Sequence, residues 1–588
     1  MRAVLLCVVA AGVFAFAASG AGASNLVTVG SPPDTTPQNH QNEPALAVDA
    51  GSPNILAAGV NDFVDWRPCP QADAVNQGTC RDPADHPVGL SGDYFSFDGG
   101  KSWVQPTYTG FTAHDCASSG ACPTHTGDIH TLPWYSENGL VSNGDPAVAF
   151  GPRPVGGHFA WSNGSRLYYA NLTASVSGAF PQQEPFKGFL GVYVSRLDNP
   201  TPTSVLDKAS WMAPVNAAPR TSSTTFEDKE QIWADNASSS PFFGNVYMCV
   251  DEFRSQEKGR GGAVSQAEIV STSTDGGATW TKRQVSNAAS NIQQGFHAAC
   301  SMRTDSNGVV YLFYSRFAFG FPGHGTHVMQ KSFDGGQHWT QPVDIFGMND
   351  ACYNVDPVEG RCVGDGDAGF RIDLTAAPSV DIANGAPTGF GATNEIVDGW
   401  SDGRFGLNSE AGLLSWSANG GTSWSNPITV SLGADRSLYS APAISPTGDR
   451  VYYVYEGPQT PWEGSDMTTP RMYHGVFRTA PIGAGGLPGA WTTIENGPLA
   501  DVRAAYPGHD IYQERVGDYV YAVATSSYGA SVWTDVRNAA VCDAVQTWRS
   551  DSFTAGHRIL PGAPWPGDPT VCPPTWGNTD IYAATTAP

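Results

Sequence analysis

The sequence predicts an all-β fold: a β-propeller of four-stranded antiparallel blades, seven by repeat count, with six as the alternative. Three observations lead there. One turn motif recurs four times, strand-like segments follow one order around each copy, and the composition is rich in Gly (67), Pro (44) and Trp (17). No helical apolar pattern of useful length interrupts the order.

The turn motif reads S-x-D-G-G-x-x-W. Ser96–Trp103, Ser273–Trp280 and Ser332–Trp339 match it fully, and Ser417–Trp424 carries Asn419 in place of the Asp. The motif's physics is local: Asp accepts from backbone N–H groups, the glycines take up positive φ, and Trp packs beneath a hairpin. It is therefore read as structural. An apolar strand starts each unit, a second ends in polar residues, a third runs into the motif and Trp begins a fourth. Fixed-order units of four strands are propeller blades.

Inner strands are legible at Pro44–Val48, Pro146–Phe150 and Gln231–Ala234, and others start near Ala298, Ile372, Ala441 and Asp518. The second unit has a degenerate motif, Ser195–Asp198, with an insertion before Ser210-Trp211, and the sixth lacks one. The last pairs Val532–Thr534 with Asp580–Tyr582, an arrangement that would close the ring.

The chain begins with Arg2, an apolar run Ala3–Ala18 and a small-residue stretch Ala21-Gly-Ala23, the pattern of a secretory signal peptide. The expected organisation is a signal peptide at 1–23, a linker at 24–41 and one propeller domain at 42–588. A secreted or extracellular location follows, with no membrane span. Cys7 leaves with the signal peptide, so ten of the eleven cysteines remain. An even number in an exported protein implies disulfides, whose connectivity stays open. Neighbours in sequence are Cys69/Cys80, Cys116/Cys122 and Cys352/Cys362, and Cys249/Cys300 and Cys542/Cys572 would then pair across longer separations.

A formal charge of -24, from 31 basic and 55 acidic residues, argues against a nucleic-acid partner, which needs a basic surface. A monomer is expected. His114, His125 and His130, with Asp115 and Asp128, show no zinc spacing, and His324 and His327 sit in a Gly-rich loop. Asp365, Asp367 and Asp373 offer carboxylates for Ca2+, though not in an EF-hand loop. No cofactor is otherwise expected, and no G-x-S-x-G, H-E-x-x-H or phosphate-cradling loop is present.

In such a blade the turn motif lies on one face, and the second-strand ends and inner-strand starts lie on the other, around the channel mouth. The second-strand ends carry Asn61-Asp62, Ser162-Asn163, Asp251-Glu-Phe-Arg254, Ser315-Arg316, Ser401-Asp402-Gly-Arg404, Glu456 and Thr534-Asp535-Val-Arg537. The inner-strand starts add Glu43, Asp145, Asp228, His297, Arg371, Tyr439 and Asp518. Structural pairing between blades is the alternative reading for any one of these residues.

The repeated motif and blade order resemble the Asp-box sialidase (neuraminidase) superfamily, including its secreted bacterial sialidase-like members, from about Asn42 to the C-terminus. The family's enzymes have six blades. The resemblance implies a glycan-acting glycoside hydrolase in which Tyr, activated by Glu, replaces a carboxylate nucleophile, and three Arg grip the substrate carboxylate. Tyr439-Ser440, followed by Gly448 and Val451–Gly457, resembles the nucleophile segment, so Tyr439 would be the nucleophile, and Glu456, expected close by, the acid that orients the first triad Arg. The family opens its first blade with Arg-Ile-Pro where this chain has Asn42-Glu43-Pro44, so that Arg is missing. His297 takes the place of the base Glu. Arg316 would be a second triad Arg and Arg371 or Arg404 the third, with Arg254 and Arg537 as further substrate-binding candidates. Asp62 and Asp85 are candidates for the general acid. The expectation is an altered relative of the exo-α-sialidases. The alternatives are a non-catalytic propeller binding glycan or protein, and a lyase or glycosidase using His297 as base.

Overall fold

The computed structural model describes residues 24–28, 40–65, 88–114, 125–175, 190–219, 225–254, 264–287, 296–317, 323–353, 362, 372, 374–463, 468–483, 485–505, 516–556 and 571–588. Seven antiparallel sheets form the blades. Blade 1 has Gln41–Val48, Leu56–Asp62 and Ser91–Ser96, with a bridge from Phe95 to Val104 in place of a fourth strand. Blade 2 runs through Ala147–Pro152, Ser165–Ser175, Gly191–Asp198 and Trp211–Asn216. Blade 3 comprises Thr225–Ala234, Val246–Arg254, Val264–Ser273 and Thr281–Gln284. Blade 4 comprises Phe296–Thr304, Val310–Phe317, His324–Ser332 and Val343–Asn349. Blade 5 comprises Ser379–Ile382, Ile396–Asp402, Ala411–Ser417 and Ile428–Thr429. Blade 6 comprises Leu438–Ile444, Arg450–Pro458, Met472–Pro481 and Thr492–Asn496.

Blade 7 is built from both ends of the described chain. Tyr521–Ala524, Gly529–Asp535 and Asp580–Thr585 supply its inner three strands, and Asn25–Leu26 pairs outside the last of them. Trp533 faces Tyr582 and Thr534 faces Ile581, joining the two segments read from the sequence as the closing unit. The insertion between them carries a helix, Asp543–Ala555, tied by Cys542–Cys572 and packed through Val545 and Trp548. The sequence periodicity did not reveal this helix.

Side-chain size follows the taper of each blade. Inner strands crowd around the axis and use small residues, among them Ala45, Ala147, Ala149, Ala234, Ala441 and Ala443, all buried. The second strands fill the widening gaps with Tyr168, Tyr169, Tyr247, Tyr314, Trp400, Tyr453 and Trp533, also buried. Close packing between blades leaves no room at Gly399, where a Cβ would sit 2.8 Å from Pro442 and 2.9 Å from Tyr453.

The Ser-Asp turns repeat one geometry. Ser273 Oγ donates to Asp275 at 2.8 Å, Asp275 accepts from the N–H groups of Ala278 (3.0 Å) and Thr279 (2.9 Å), and Gly277 N–H donates to Ser273 Oγ (2.8 Å). Asn419 reproduces it through its amide oxygen, accepting from Ser423 N–H at 2.9 Å. These turns lie beside the loops joining first and second strands: Gly99 N–H donates to Asn54 O at 3.0 Å. They therefore sit on the face away from the inner-strand starts. On that face the blade 5 loop reaches across to blades 2 and 3, where Pro387 O accepts from Ser238 N–H (2.9 Å) and Trp161 Nε1 (3.2 Å).

Among the described residues three disulfides join Cys249–Cys300, Cys352–Cys362 and Cys542–Cys572. Cys69, Cys80, Cys116 and Cys122 lie outside the described residues.

Candidate active site at the channel mouth

A backbone device recurs at every inner-strand start. Glu43 (φ 54°), Asp145 (48°), Lys229 (56°), Ala299 (59°), Leu374 (62°), Tyr439 (28°) and Gly517 (79°) all have positive φ. In four blades the strand register slips there: between Asn42 and Ala45, Asp228 and Gln231, Ala298 and Ser301, and Leu438 and Ser440. An extra residue in a left-handed conformation bends the strand and re-aims the local side chains. Left-handed backbone at non-glycine residues is costly and clusters at functional sites.

The re-aimed side chains meet. Tyr439 OH donates to Asp518 Oδ1 at 3.0 Å, and Lys229 Nζ lies 2.9 Å from Asp518 Oδ2 and 3.5 Å from Asp145 Oδ2. Lys229 Nζ also sits 4.8 Å from the Tyr519 ring centre, and Tyr519 OH donates to Asp145 at 3.2 Å. Glu43 accepts from Asp518 N–H (3.0 Å) and Asn61 Nδ2 (2.7 Å). A cavity of about 80 Å³ opens at this cluster, with Lys229, Glu230, Arg303, Tyr439, Asp518 and Tyr519 in its walls.

The electrostatics separate the carboxyls. Burial opposes the charge on Lys229, but Asp145 and Asp518 outweigh it and raise the ammonium well above its ordinary value. Burial also works against ionised Asp145, yet Lys229 and a hydrogen bond with Asp228 hold it below the usual range. Burial and the neighbouring Asp145 push Asp228 up to about 6. Of this hydrogen-bonded pair Asp228 is therefore the one that takes up a proton first as pH falls.

A larger cavity of about 170 Å³ lies further along the channel and meets the first at Gln231, Arg303 and Tyr521. Its walls are mostly apolar, and its ion pair, Arg303–Asp381 (3.4 Å), stacks on Trp233. The titratable groups gather at the smaller cavity, so chemistry is assigned there.

Of the residues singled out in the sequence, the structure brings Tyr439 and Asp518 to this cavity, gathers Glu43, Asp145 and Asp228 around them, and places the remaining described candidates elsewhere. The acid on the Tyr439 hydroxyl is Asp518, not Glu456. Glu456 is buried against the Thr534 backbone and Tyr473, where burial raises it well above the carboxylate range. His297 points into the seam between blades 3 and 4, with Nδ1 3.1 Å from Ser286 Oγ and its ring 4.8 Å from Tyr314. Burial, then the charge of Arg316, lowers it to about 4. Asp62 is wholly buried and accepts from Gln41 (3.0 Å), Gln105 (2.7 Å) and Tyr94. Arg316 pairs with Asp344 at the surface.

Arg404 and Arg537 are each occupied by the Asp two residues before them. Arg404 donates to Asp402 through Nε (2.8 Å) and Nη2 (2.7 Å), and Trp400 Nε1 donates to the same carboxylate (2.7 Å). Trp533, Asp535 and Arg537 repeat the brace in blade 7. Arg254 ends the second strand of blade 3. Arg371, Asp85, Asp365, Asp367 and Asp373 lie outside the described residues.

Lys229, Glu230, Tyr519 and Arg303 were not foreseen. The signal for the first two was the charged run Asp228-Lys-Glu230 at a strand start. Elsewhere His130 bonds Asp65 (3.0 Å) and His327 bonds Asp398 (2.9 Å), both as packing pairs. Asp251, Glu268 and Cys300 approach one another closely, but Cys300 is in a disulfide.

No protein-family model matches the chain, and no curated protein matches it in sequence. Among solved structures it is similar to a protein of unknown function from Dyadobacter fermentans DSM 18053, at 12% identity and TM-score 0.36, over 75% of this chain and 93% of that one. It is also similar to the Hadza microbial sialidase Hz136, at 14% identity and TM-score 0.37, over 71% of this chain and 63% of that one. Trypanosoma rangeli sialidase in complex with the inhibitor DANA matches at 12% identity and TM-score 0.35, over 76% of this chain and 55% of that one. The chain thus spans less than two thirds of each of these two sialidases. By its own architecture it is a seven-bladed β-propeller with an acidic cluster at one channel mouth.

Proposed function

We propose that this is an exported glycan-acting propeller, a glycoside hydrolase whose site is the channel-mouth cavity. The observation that carries the reading is the Tyr439 hydroxyl donating to buried Asp518 in a cavity wall, with Lys229 bound to the same carboxylate. A tyrosine needs a neighbouring base to attack. In the step envisaged, Tyr439 Oη bonds to the anomeric carbon and gives its proton to Asp518. The glycosidic C–O bond breaks, and Asp228 delivers its proton to the leaving oxygen. Lys229 holds Asp145 ionised and stays paired with Asp518, which carries the tyrosine proton until water displaces the sugar from Tyr439.

The cavity is smaller than the roughly 300 Å³ and upward of pockets that enclose whole ligands. It suits the end of a chain, and hence exo-action. Arg303 is the only arginine among the described residues of its wall, and it is committed to Asp381 and Trp233. Ordinary sialosides, whose carboxylate calls for several arginines, should be poor substrates. A non-catalytic glycan-binding role is the second reading, favoured by how fully Lys229, Asp145, Asp518 and Tyr519 satisfy one another.

A mixed glycan panel incubated with wild type and Tyr439→Phe separates these readings. Sugar released by the wild type and lost in the variant supports the hydrolase. Undiminished release by the variant removes Tyr439 from the mechanism. Retention of glycan without release by the wild type leaves the binding role.

A further inference from the structure

The wall of the channel-mouth cavity contains a carboxyl that the proposed chemistry does not use. Glu230 is 4% exposed, and neither of its oxygens has a hydrogen-bond donor of good geometry. Its own backbone N–H favours the charged form, but burial and Asp145 outweigh it. Buried carboxyls without donors are rare because desolvation is not repaid. Glu268 and Glu456 likewise have neither oxygen bonded, but of the three Glu230 alone lines this cavity.

The surrounding charge has one sign in excess. Five carboxyls, Glu43, Asp145, Asp228, Glu230 and Asp518, gather around the mouth among the described residues, against Lys229 and Arg303. Both cations are already engaged, Lys229 by Asp145 and Asp518 and Arg303 by Asp381. A negatively charged ligand would find no free cation here, and a neutral one would leave Glu230 without a charged partner.

We propose that the channel-mouth site selects a sugar bearing a free, protonated amine, with Glu230 as the carboxylate that receives it. The assignment rests on the glycan-acting reading above and names its substrate class. An ammonium donates up to three hydrogen bonds and favours ionised Glu230, which burial and Asp145 otherwise drive toward its neutral form. Hydrogen bonds to charged groups are the stronger kind. N-acetylation removes both the charge and two of the donors, and a carboxylated sugar adds repulsion.

The test is calorimetric titration of the full-length wild-type protein at pH 7 with D-glucosamine, N-acetylglucosamine and glucuronate. These free sugars are not hydrolysed, so binding is read apart from catalysis. Glucosamine is expected to bind at least ten-fold more tightly than either of the others. Glu230→Gln, checked for an unchanged melting transition, should erase that preference. Equal affinities, a preference for glucuronate, no binding of glucosamine, or a preference that survives in Glu230→Gln would each overturn the proposal. If the Gln variant does not fold, the wild-type ranking alone decides. Release of neutral sugars from the glycan panel together with flat affinities would sink this inference and leave the hydrolase standing. An amine preference without any sugar release would do the reverse.

Discussion

His297 sits in the blade 3–blade 4 seam, 8% exposed, and burial with the charge of Arg316 lowers it to about 4. Its ordinary value is near 6.5. Between these values the unfolded chain binds the proton and the folded chain does not. The stability that neutral His297 permits is therefore complete above pH 6.5 and is lost as pH falls toward 4, by about 3 kcal/mol. Denaturant titrations across that range should show a shallower acid loss in His297→Gln than in wild type; parallel curves would contradict the assignment. At the mouth, Asp518→Asn should keep a hydrogen bond to Tyr439 but remove its base and one partner of Lys229. It should lower kcat for sugar release at least a hundred-fold with little change in KM, and unchanged kcat would exclude Asp518 as the base. Tyr439 was legible because an aromatic at a strand start followed by Tyr-Glu-Gly is a distinctive string. Asp518 was seen as a rim residue, but its pairing with Tyr439, 79 residues away, depends on how blades 6 and 7 pack side by side and on no local pattern.

The strand and its bulge explain which site residues escaped. A strand read with period two assigns faces by parity, and one inserted residue reverses parity beyond it. In blade 3 the slip between Asp228 and Gln231 puts Lys229 and Glu230 in the cavity wall next to Asp228, the one residue that the sequence offered at that strand start. In blade 4 the slip between Ala298 and Ser301 puts Ala299 there, and His297 turns into the seam. The Ser-Asp turns were fully legible because their hydrogen bonds close within five residues. The Trp-x-Asp-x-Arg braces were misread for a related reason: an Arg at a strand end looks available until its local Asp is seen to hold it. Arg404→Ala would leave the buried Asp402 carboxylate without its cation. It should cost about 3 kcal/mol, read as a lower melting temperature, with KM unchanged. A raised KM at unchanged stability would return Arg404 to the substrate.

At the scale of the molecule the ring is held at two kinds of joint. Asn25–Leu26 latches onto Asp580–Thr585, and Val27 N–H adds a 2.8 Å bond to Ile581 O. Cys249–Cys300 ties the second strand of blade 3 to the first strand of blade 4 beneath the mouth, and Cys300 lines the cavity. A bridge across 51 residues is worth about 4 kcal/mol by loop closure. The Cys249→Ala/Cys300→Ala double variant should melt well below wild type and lose activity in step with it. A double variant as stable as wild type would show that blade packing alone holds this seam. The count of seven blades was legible from the recurrent strand order, and the helix Asp543–Ala555 was not, because its polar sequence has little amphipathic contrast.

The seven left-handed positions around the mouth have a consequence for how such a protein changes over generations. Each is supplied by a different blade, and each blade's packing rests on strands behind it. Two of the seven, Ala299 and Leu374, now present side chains without chemistry. A single codon change at either adds a functional group to the ring and leaves six neighbours where they were. Asn or Asp there would even sit more easily in the left-handed backbone than the present residues do. The propeller is in this sense a set of independently rewritable positions, and divergence of substrate can outrun divergence of fold.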